Sequence, residues 1–213
     1  MKQVFFLAGD YWHPADVLAP LAEQLFPADE WALHFTQDPA DLLTCTPDLI
    51  VTFKDPVLDS RNPTPIWCGE DWSAHLVQLV EEGAGLIMGH AALTDIPAAH
   101  LLAQHFVRST FSHHPPQCPL TVRAIADHPI LQDLPAFTFP EPDEQYFMLP
   151  IPGVEMNLLA VTDSLHGEQP GVWAGAVGQG RFCCITPGHT LTNLTCPGFL
   201  RLMKNAADWC ARR

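Results

Sequence analysis

Gly83-Ala-Gly-Leu-Ile-Met-Gly89-His90 and Gly178-Gln-Gly-Arg-Phe-Cys-Cys-Ile-Thr-Pro-Gly188-His189 are two versions of one phrase: a glycine turn, a short apolar run, then Gly-His. An apolar run of this length between glycines has the pattern of a strand buried on both faces, as in a parallel sheet covered by helices. Glycine at the exit lets the backbone turn sharply or approach a ligand closely. Open α/β sheets bind their ligands at the carboxyl ends of such strands. His90 and His189 are therefore candidates for one shared site.

Working outward, residues 4–8 form an apolar run that ends in Gly9-Asp10, a first parallel strand opening into Tyr11-Trp12-His13-Pro14. Residues 16–26 have helical apolar spacing, with Pro20 either kinking the helix or marking its first turn. Residues 31–35 and 48–53 read as strands, and Asp38-Pro39 as the cap and first turn of a short helix to Leu43. Ile66-Trp67-Cys68 reads as a short strand before a helix carrying Leu76, Val77, Leu79 and Val80. A helix is expected over 96–106, and Ser112-His113-His114-Pro115-Pro116 as a loop. Strands are expected over 120–124, 145–149, 158–162, 172–177 and 182–185, the last two joined by the hairpin turn Gly178-Gln179-Gly180. A helix over 199–210 closes the chain. Early alternation followed by a strand-rich stretch predicts a doubly wound, mostly parallel sheet with an antiparallel extension, in one domain over 1–213.

Composition limits the partners. The formal net charge is -14 with only 10 Lys+Arg, which excludes the basic footprint of a nucleic-acid or anionic-membrane binder. The apolar part of the N-terminus is too short for a signal peptide and no run approaches bilayer length, so a cytoplasmic protein is expected. The 7 cysteines include no Cys-x-x-Cys, and Cys183-Cys184 lies inside an apolar run, so reduced core thiols are expected. Composition leaves a homo-oligomer open.

Among 11 histidines, His13, His90, His114 and His189 fall in loops or at strand exits rather than on apolar faces. In Pro142-Asp143-Glu144-Gln145-Tyr146, Glu144 and Tyr146 share parity, so an early start to the strand places both on one side. A Glu buried near histidines suits acid/base work or metal ligation, whereas Asp143 reads as an acid solvating a loop.

Taken in order, Gly83 to His90, Phe111-Ser-His-His114-Pro, Asp127-His-Pro-Ile-Leu-Gln-Asp-Leu-Pro135, Asp143-Glu-Gln-Tyr146 and Gly178 to His189, followed by the helix with Trp209, resemble the trehalose-utilisation (ThuA-like) family. The resemblance covers residues 66–210. It implies the flavodoxin-like three-layer fold of class I glutamine amidotransferases, a link to trehalose and keto-sugar processing, and attention to His90, His114, Glu144, Tyr146 and His189. Glutaminase chemistry needs a cysteine at the sharp turn after the central strand and an activating histidine that a carboxylate orients. Here that turn reads Met88-Gly89-His90-Ala91, and after the last strand Gly188-His189-Thr190-Leu191 lacks the His-x-Glu pairing. Cys68 is the one thiol worth testing as a substitute.

What remains suits a carbohydrate-processing hydrolase or isomerase, with His90, Glu144 and His189 as acid/base groups or as ligands of a divalent zinc or manganese ion. No His-x-x-x-His or His-x-His pair is present, so any ligands come from separate segments. His13 and His114 are expected at the margin of the site, with Tyr146 and Trp12 among the groups that contact a small sugar ligand. Tyr11, Trp67 and Trp72 offer further flat faces for a sugar ring. The competing readings are a catalytically silent amidotransferase-like domain that binds a small ligand or partner protein, and a hydrolase of a non-sugar substrate.

Overall fold

Alternate residues of the central strands enter two separate cores, which is what makes those strands read as unbroken apolar runs. Val4 and Phe6 pack into one core with Ile87, Cys183 and Ile185, while Phe5 and Leu7 pack into the other with Leu86, Met88, Phe182 and Cys184. The computed structural model describes residues 1–59 and 62–212. Its strands are β1 (Lys2–Leu7), β2 (Trp31–Thr36), β3 (Leu49–Thr52), β4 (Val57–Asp59), β5 (Asn62–Ile66), β6 (Gly85–Gly89), β7 (Ser109–His113), β8 (Thr121–Ala124), β9 (Phe137–Thr138), β10 (Phe147–Pro150), β11 (Leu158–Ser164), β12 (Gly167–Val177) and β13 (Gly180–Ile185).

Nine of these form one sheet in the order β2-β1-β3-β6-β13-β12-β11-β8-β9. Pairing is parallel from β2 to β13 and antiparallel from β13 to β9, so the expected mostly parallel sheet with an antiparallel extension is what the chain forms. The switch in direction occurs at the β12–β13 hairpin, where Val177 pairs with Gly180 across Gly178-Gln179. Helices α1 (Ala15–Leu25) and α4 (Pro197–Cys210) cover one face through Leu18, Leu21, Phe199, Leu202 and Met203. Helix α2 (Glu70–Glu81) covers the other through Leu76, Leu79 and Val80. A short helix, α3 (Leu191–Leu194), follows β13 and is capped by the Thr190 hydroxyl. Among the described residues no helix is long and apolar enough to cross a membrane.

Four local expectations need correction. The segment expected as a helix over 96–106 begins with a turn at Pro97 and closes as a wide helical turn over Ala103–Val107, where Arg108 adopts φ 57° and donates its N–H to Ala103 O. Trp67 and Cys68 follow β5 rather than forming a strand, because the Trp67 N–H returns to Pro56 O and the Gly69 N–H to Trp67 O. Ser112 and His113 belong to β7, which pairs antiparallel with β10 in a small ribbon outside the nine-stranded sheet. The strand expected over 145–149 is accordingly short, and lies in that ribbon. Pro20 sits inside α1, where the carbonyl of Asp16 has no proline N–H to accept.

Candidate active site

Three strand exits supply the histidines. At the end of β1 the carboxylate of Asp10 accepts the backbone N–H groups of Trp12, His13 and Asp55 at 2.8, 2.8 and 3.0 Å, and lies 3.0 Å from Nδ1 of His13. Burial works to raise the Asp10 pKa, but the His13 hydrogen bond and charge together with the backbone N–H groups of Asp55 and His13 overcome it and hold the carboxyl below its ordinary value. His13 Nε2 is thereby aimed inward, 3.0 Å from His189 Nδ1. At the end of β6, Gly89 lies so close to the Phe53 ring that a Cβ there would collide with it. The next residue, His90, adopts φ 43°, an uncommon conformation for a residue with a side chain and a mark of strain held by its surroundings. Its ring is buried, with Nδ1 2.8 Å from the Thr186 carbonyl and Nε2 3.1 Å from His189 Nδ1. At the end of β13, Gly188 with φ 114° turns the chain so that His189 follows directly.

The acid and the phenol come from the connection between β9 and β10. Asp143 corrects the sequence reading: it is fully buried, not a loop-solvating acid. Its carboxylate accepts from the backbone N–H of Gly188 at 3.3 Å, from that of His189 at 3.2 Å and from Asn193 Nδ2 at 2.7 Å. Gln145, also fully buried, donates from Nε2 to the carbonyls of Thr162 and Gly167 and accepts from the Ser164 hydroxyl. With the odd-numbered side chains anchored, Glu144 and Tyr146 both reach the site, although this stretch forms no regular strand. Glu144 Oε2 lies 3.4 Å from His90 Nε2, 3.5 Å from His189 Nδ1 and 3.8 Å from His114 Nε2. The Tyr146 hydroxyl lies 3.1 Å from His90 Nε2, and its ring stacks on the imidazole with centroids 4.5 Å apart.

Electrostatics separate these groups. Burial works to raise the Glu144 pKa, but His90, His189 and His114 together pull it down to about 2, so the carboxylate stays ionised. Burial works to lower the His90 pKa, and the Glu144 hydrogen bond with the Asp143 and Glu144 charges overcomes it, leaving His90 above the ordinary imidazole value. His189 is shifted the other way, first by burial and then by its neighbour His90. Burial, reinforced by Glu144, pushes the Tyr146 phenol well up.

His13, expected at the margin, instead stands at the centre. One ring nitrogen each from His13, His90 and His189 lies within 4.8 Å of the others, so His13 takes the third place in the set that the sequence reading gave to Glu144. His114 is exposed, with Nε2 3.8 Å from Glu144 Oε2. These groups line a cleft of about 400 Å³ that also includes Trp12, Asp55, Asp95 and Phe111. Trp12 is exposed at its rim with Tyr11 packed edge-on against it. Trp67 and Trp72 lie elsewhere, against each other beside Cys68, so they offer no face to this cleft. Cys68 is buried and its thiol is pushed up to about 12, which leaves no thiolate to act as a nucleophile. All 7 cysteines are unpaired thiols.

Four acids escaped the sequence reading as site residues: Asp10, Asp55, Asp95 and Asp143. Asp10 carried a usable signal, because Gly9-Asp10 is a third case of glycine plus a polar residue at a strand exit. Asp55 sits just past β3, and burial pushes its carboxyl up to about 6, helped by the Asp10 and Asp95 charges. Nothing in the local sequence distinguishes Asp143 from a surface acid.

Fold and site together define an α/β protein with a histidine and carboxylate cleft at the carboxyl edge of its parallel strands. The ThuA family model, described as trehalose utilisation, matches residues 10–210, and the chain belongs to that family. Among solved structures, a ThuA-like protein from Parabacteroides merdae superposes with TM-score 0.78 at 17% identity, covering 99% of this chain and 90% of its own. A second, from Bacteroides uniformis, gives TM-score 0.74 at 17% identity, over 99% of this chain and 91% of its own. A β-galactosidase from Bacillus circulans matches 98% of this chain with 31% of its own length, at TM-score 0.64 and 8% identity. No match is found among curated proteins.

Proposed function

We propose that the protein processes a sugar or keto-glycoside, as a hydrolase or isomerase, by acid/base chemistry in this cleft. The observation that carries the proposal is the Glu144 carboxylate held 3.4 and 3.5 Å from two imidazoles whose pKa values are displaced in opposite directions. Neighbouring groups driven apart in this way give one site both a proton donor and a proton acceptor. In the metal-free site His90 is suited to donate and His189 to accept, with Glu144 stabilising positive charge on either ring. Trp12 and Phe111 add flat apolar faces of the kind that pack on a sugar ring, and the polar atoms of His114 and Tyr146 suit its hydroxyls.

The charge of the lining narrows the substrate. Among the described residues, Asp55, Asp95 and Glu144 line the cleft and neither Lys nor Arg does, so a neutral sugar fits this field better than a sugar phosphate or sugar acid. Membership of the trehalose-utilisation family supports a disaccharide-related substrate. The test is a screen of disaccharides and their keto derivatives, with and without added divalent metals, followed by mass spectrometry of the products. Turnover of one such compound by the wild type and its loss in Glu144→Gln is the expected outcome. Saturable binding with no turnover of any compound would instead identify a binding protein on this fold.

A further inference from the structure

We infer that His13 Nε2, His90 Nε2 and His189 Nδ1 form a three-nitrogen site for one zinc-type divalent ion at the floor of the cleft. The inference concerns the protein alone and stands whether or not the substrate is a sugar.

The hydrogen-bond accounting points there first. His90 Nδ1 faces the Thr186 carbonyl, which only accepts, so that nitrogen carries the hydrogen and Nε2 presents a lone pair. His13 Nδ1 faces the Asp10 carboxylate, so its Nε2 presents a lone pair as well. Both lone pairs and the Glu144 carboxylate point at His189 Nδ1, which carries at most one hydrogen. The Tyr146 hydroxyl adds one donor, and it reaches His90. With the three rings neutral, acceptors therefore outnumber protons at a single point; either a further proton or a metal cation resolves the shortage, and the ligand geometry favours the metal. A buried imidazole with its second nitrogen fixed by a carboxylate or backbone carbonyl is the arrangement that orients metal-ligating histidines.

Geometry and ligand type agree. Zinc–nitrogen bonds of about 2.0–2.1 Å in a tetrahedron place ligand nitrogens about 3.3 Å apart. His189 Nδ1 lies 3.0 Å from His13 Nε2 and 3.1 Å from His90 Nε2, and one ligand nitrogen from each of the three rings lies within 4.8 Å of the others. Three imidazoles favour zinc, nickel or copper over magnesium, calcium or manganese, which prefer oxygen. Of the two metals the sequence suggested, this donor set selects zinc. Three protein ligands leave a fourth direction, and Glu144 and Tyr146 stand beside the site where it meets the cleft. Asp10, Asp143 and Glu144 supply negative charge around it.

The test uses full-length protein stripped with a chelator, then titrated with zinc chloride and, separately, cobalt chloride. Expected is uptake of one zinc per chain by elemental analysis, and a cobalt visible spectrum characteristic of nitrogen ligation. His13→Ala and His189→Ala, checked for fold by circular dichroism, should each weaken zinc binding by on the order of 100-fold, and Asp10→Asn by about 10–100-fold. His128→Ala, whose ring packs on Trp209, should leave it unchanged. Failure of the wild type to retain zinc, or equal binding by wild type and folded His13→Ala and His189→Ala, overturns the site. Neither result depends on finding the substrate.

Discussion

The parallel and antiparallel halves of the sheet contribute to the site in different ways. In the parallel half, strands buried on both faces end at glycines, and the next turns deliver Asp10 with His13, then His90 and His189, to one edge. The antiparallel strands carry none of these histidines. Beyond their last member, β9, the chain turns back and brings Asp143, Glu144 and Tyr146 across to that same edge. The first group is positioned by the backbone geometry of strand exits; the second by the buried side chains of Asp143 and Gln145, one gripping each half. The functional groups thus depend on two kinds of support, and each can be removed separately.

The largest effect should come from the acid that crosses between the halves. With a turned-over compound in hand, Glu144→Gln should lower kcat/KM by about 10²–10⁴-fold, the usual range for a positioned acid or base, with the fold retained but the melting temperature lowered, because the carboxylate charge that the histidines stabilise is lost. Steady-state kinetics against a thermal melt checks both parts. A Glu144→Gln enzyme of near wild-type activity would show the strand-exit histidines to be sufficient alone.

Asp143→Ala leaves the N–H groups of Gly188 and His189 and the amide of Asn193 without their acceptor in a buried place. Urea unfolding should show a loss of about 3 kcal/mol, given the cost of unpaired buried donors. Gln145→Ala should cost about 2 kcal/mol on the same ground, but it frees groups in the antiparallel half only. Imidazole NMR signals of His189 should broaden in the first variant and hold in the second; equal behaviour would erase the distinction between the two anchors.

Asp55 offers a smaller, pH-dependent test. Its folded pKa of about 6 lies above the ordinary 3.8, so the folded chain binds that proton more tightly than the unfolded chain. Stability from this group is therefore full below about 4 and declines as pH rises toward about 6. Asp55→Asn should remove that decline, a difference of about 1 kcal/mol at neutral pH once solvent screening of this partly open group is allowed for. Chemical unfolding of both proteins between pH 4 and pH 8 checks the direction.

The smallest effect is expected at the far edge, where Arg123 pairs with Asp163 and Glu168 across β8, β11 and β12 in a solvent-exposed network. Exposed ion pairs contribute about 0–1 kcal/mol. Arg123→Ala should change stability by less than about 0.5 kcal/mol and leave both kcat/KM and zinc uptake as they are. An effect on the site would mean that the two halves communicate beyond the Asp143 and Gln145 anchors.

Much of the parallel half was legible in the chain itself. Burial on both faces writes itself as continuous apolar runs, and the glycine that must follow leaves a marker, so β1, β6, β13 and the exits at His90 and His189 could be read directly. The hairpin at Gly178-Gln179 was legible for a similar reason, because its backbone conformation at Gly178 favours glycine. The shared parity of Glu144 and Tyr146 was readable as well. Other matters depend on contacts between residues far apart in sequence. That Asp143 is a buried anchor follows from amide groups more than forty positions away; that His13 is central rather than marginal follows from Asp10 turning its ring; that Trp67 and Trp72 pack against each other away from the cleft follows from their indole N–H groups donating to the carbonyls of Asp55 and Pro39. The sequence determined which strands are buried and where they end, because those are local requirements of backbone and side-chain burial. Tertiary structure decided which polar groups meet at those ends and which protons they share, because charge, hydrogen bonding and desolvation act between neighbours in space.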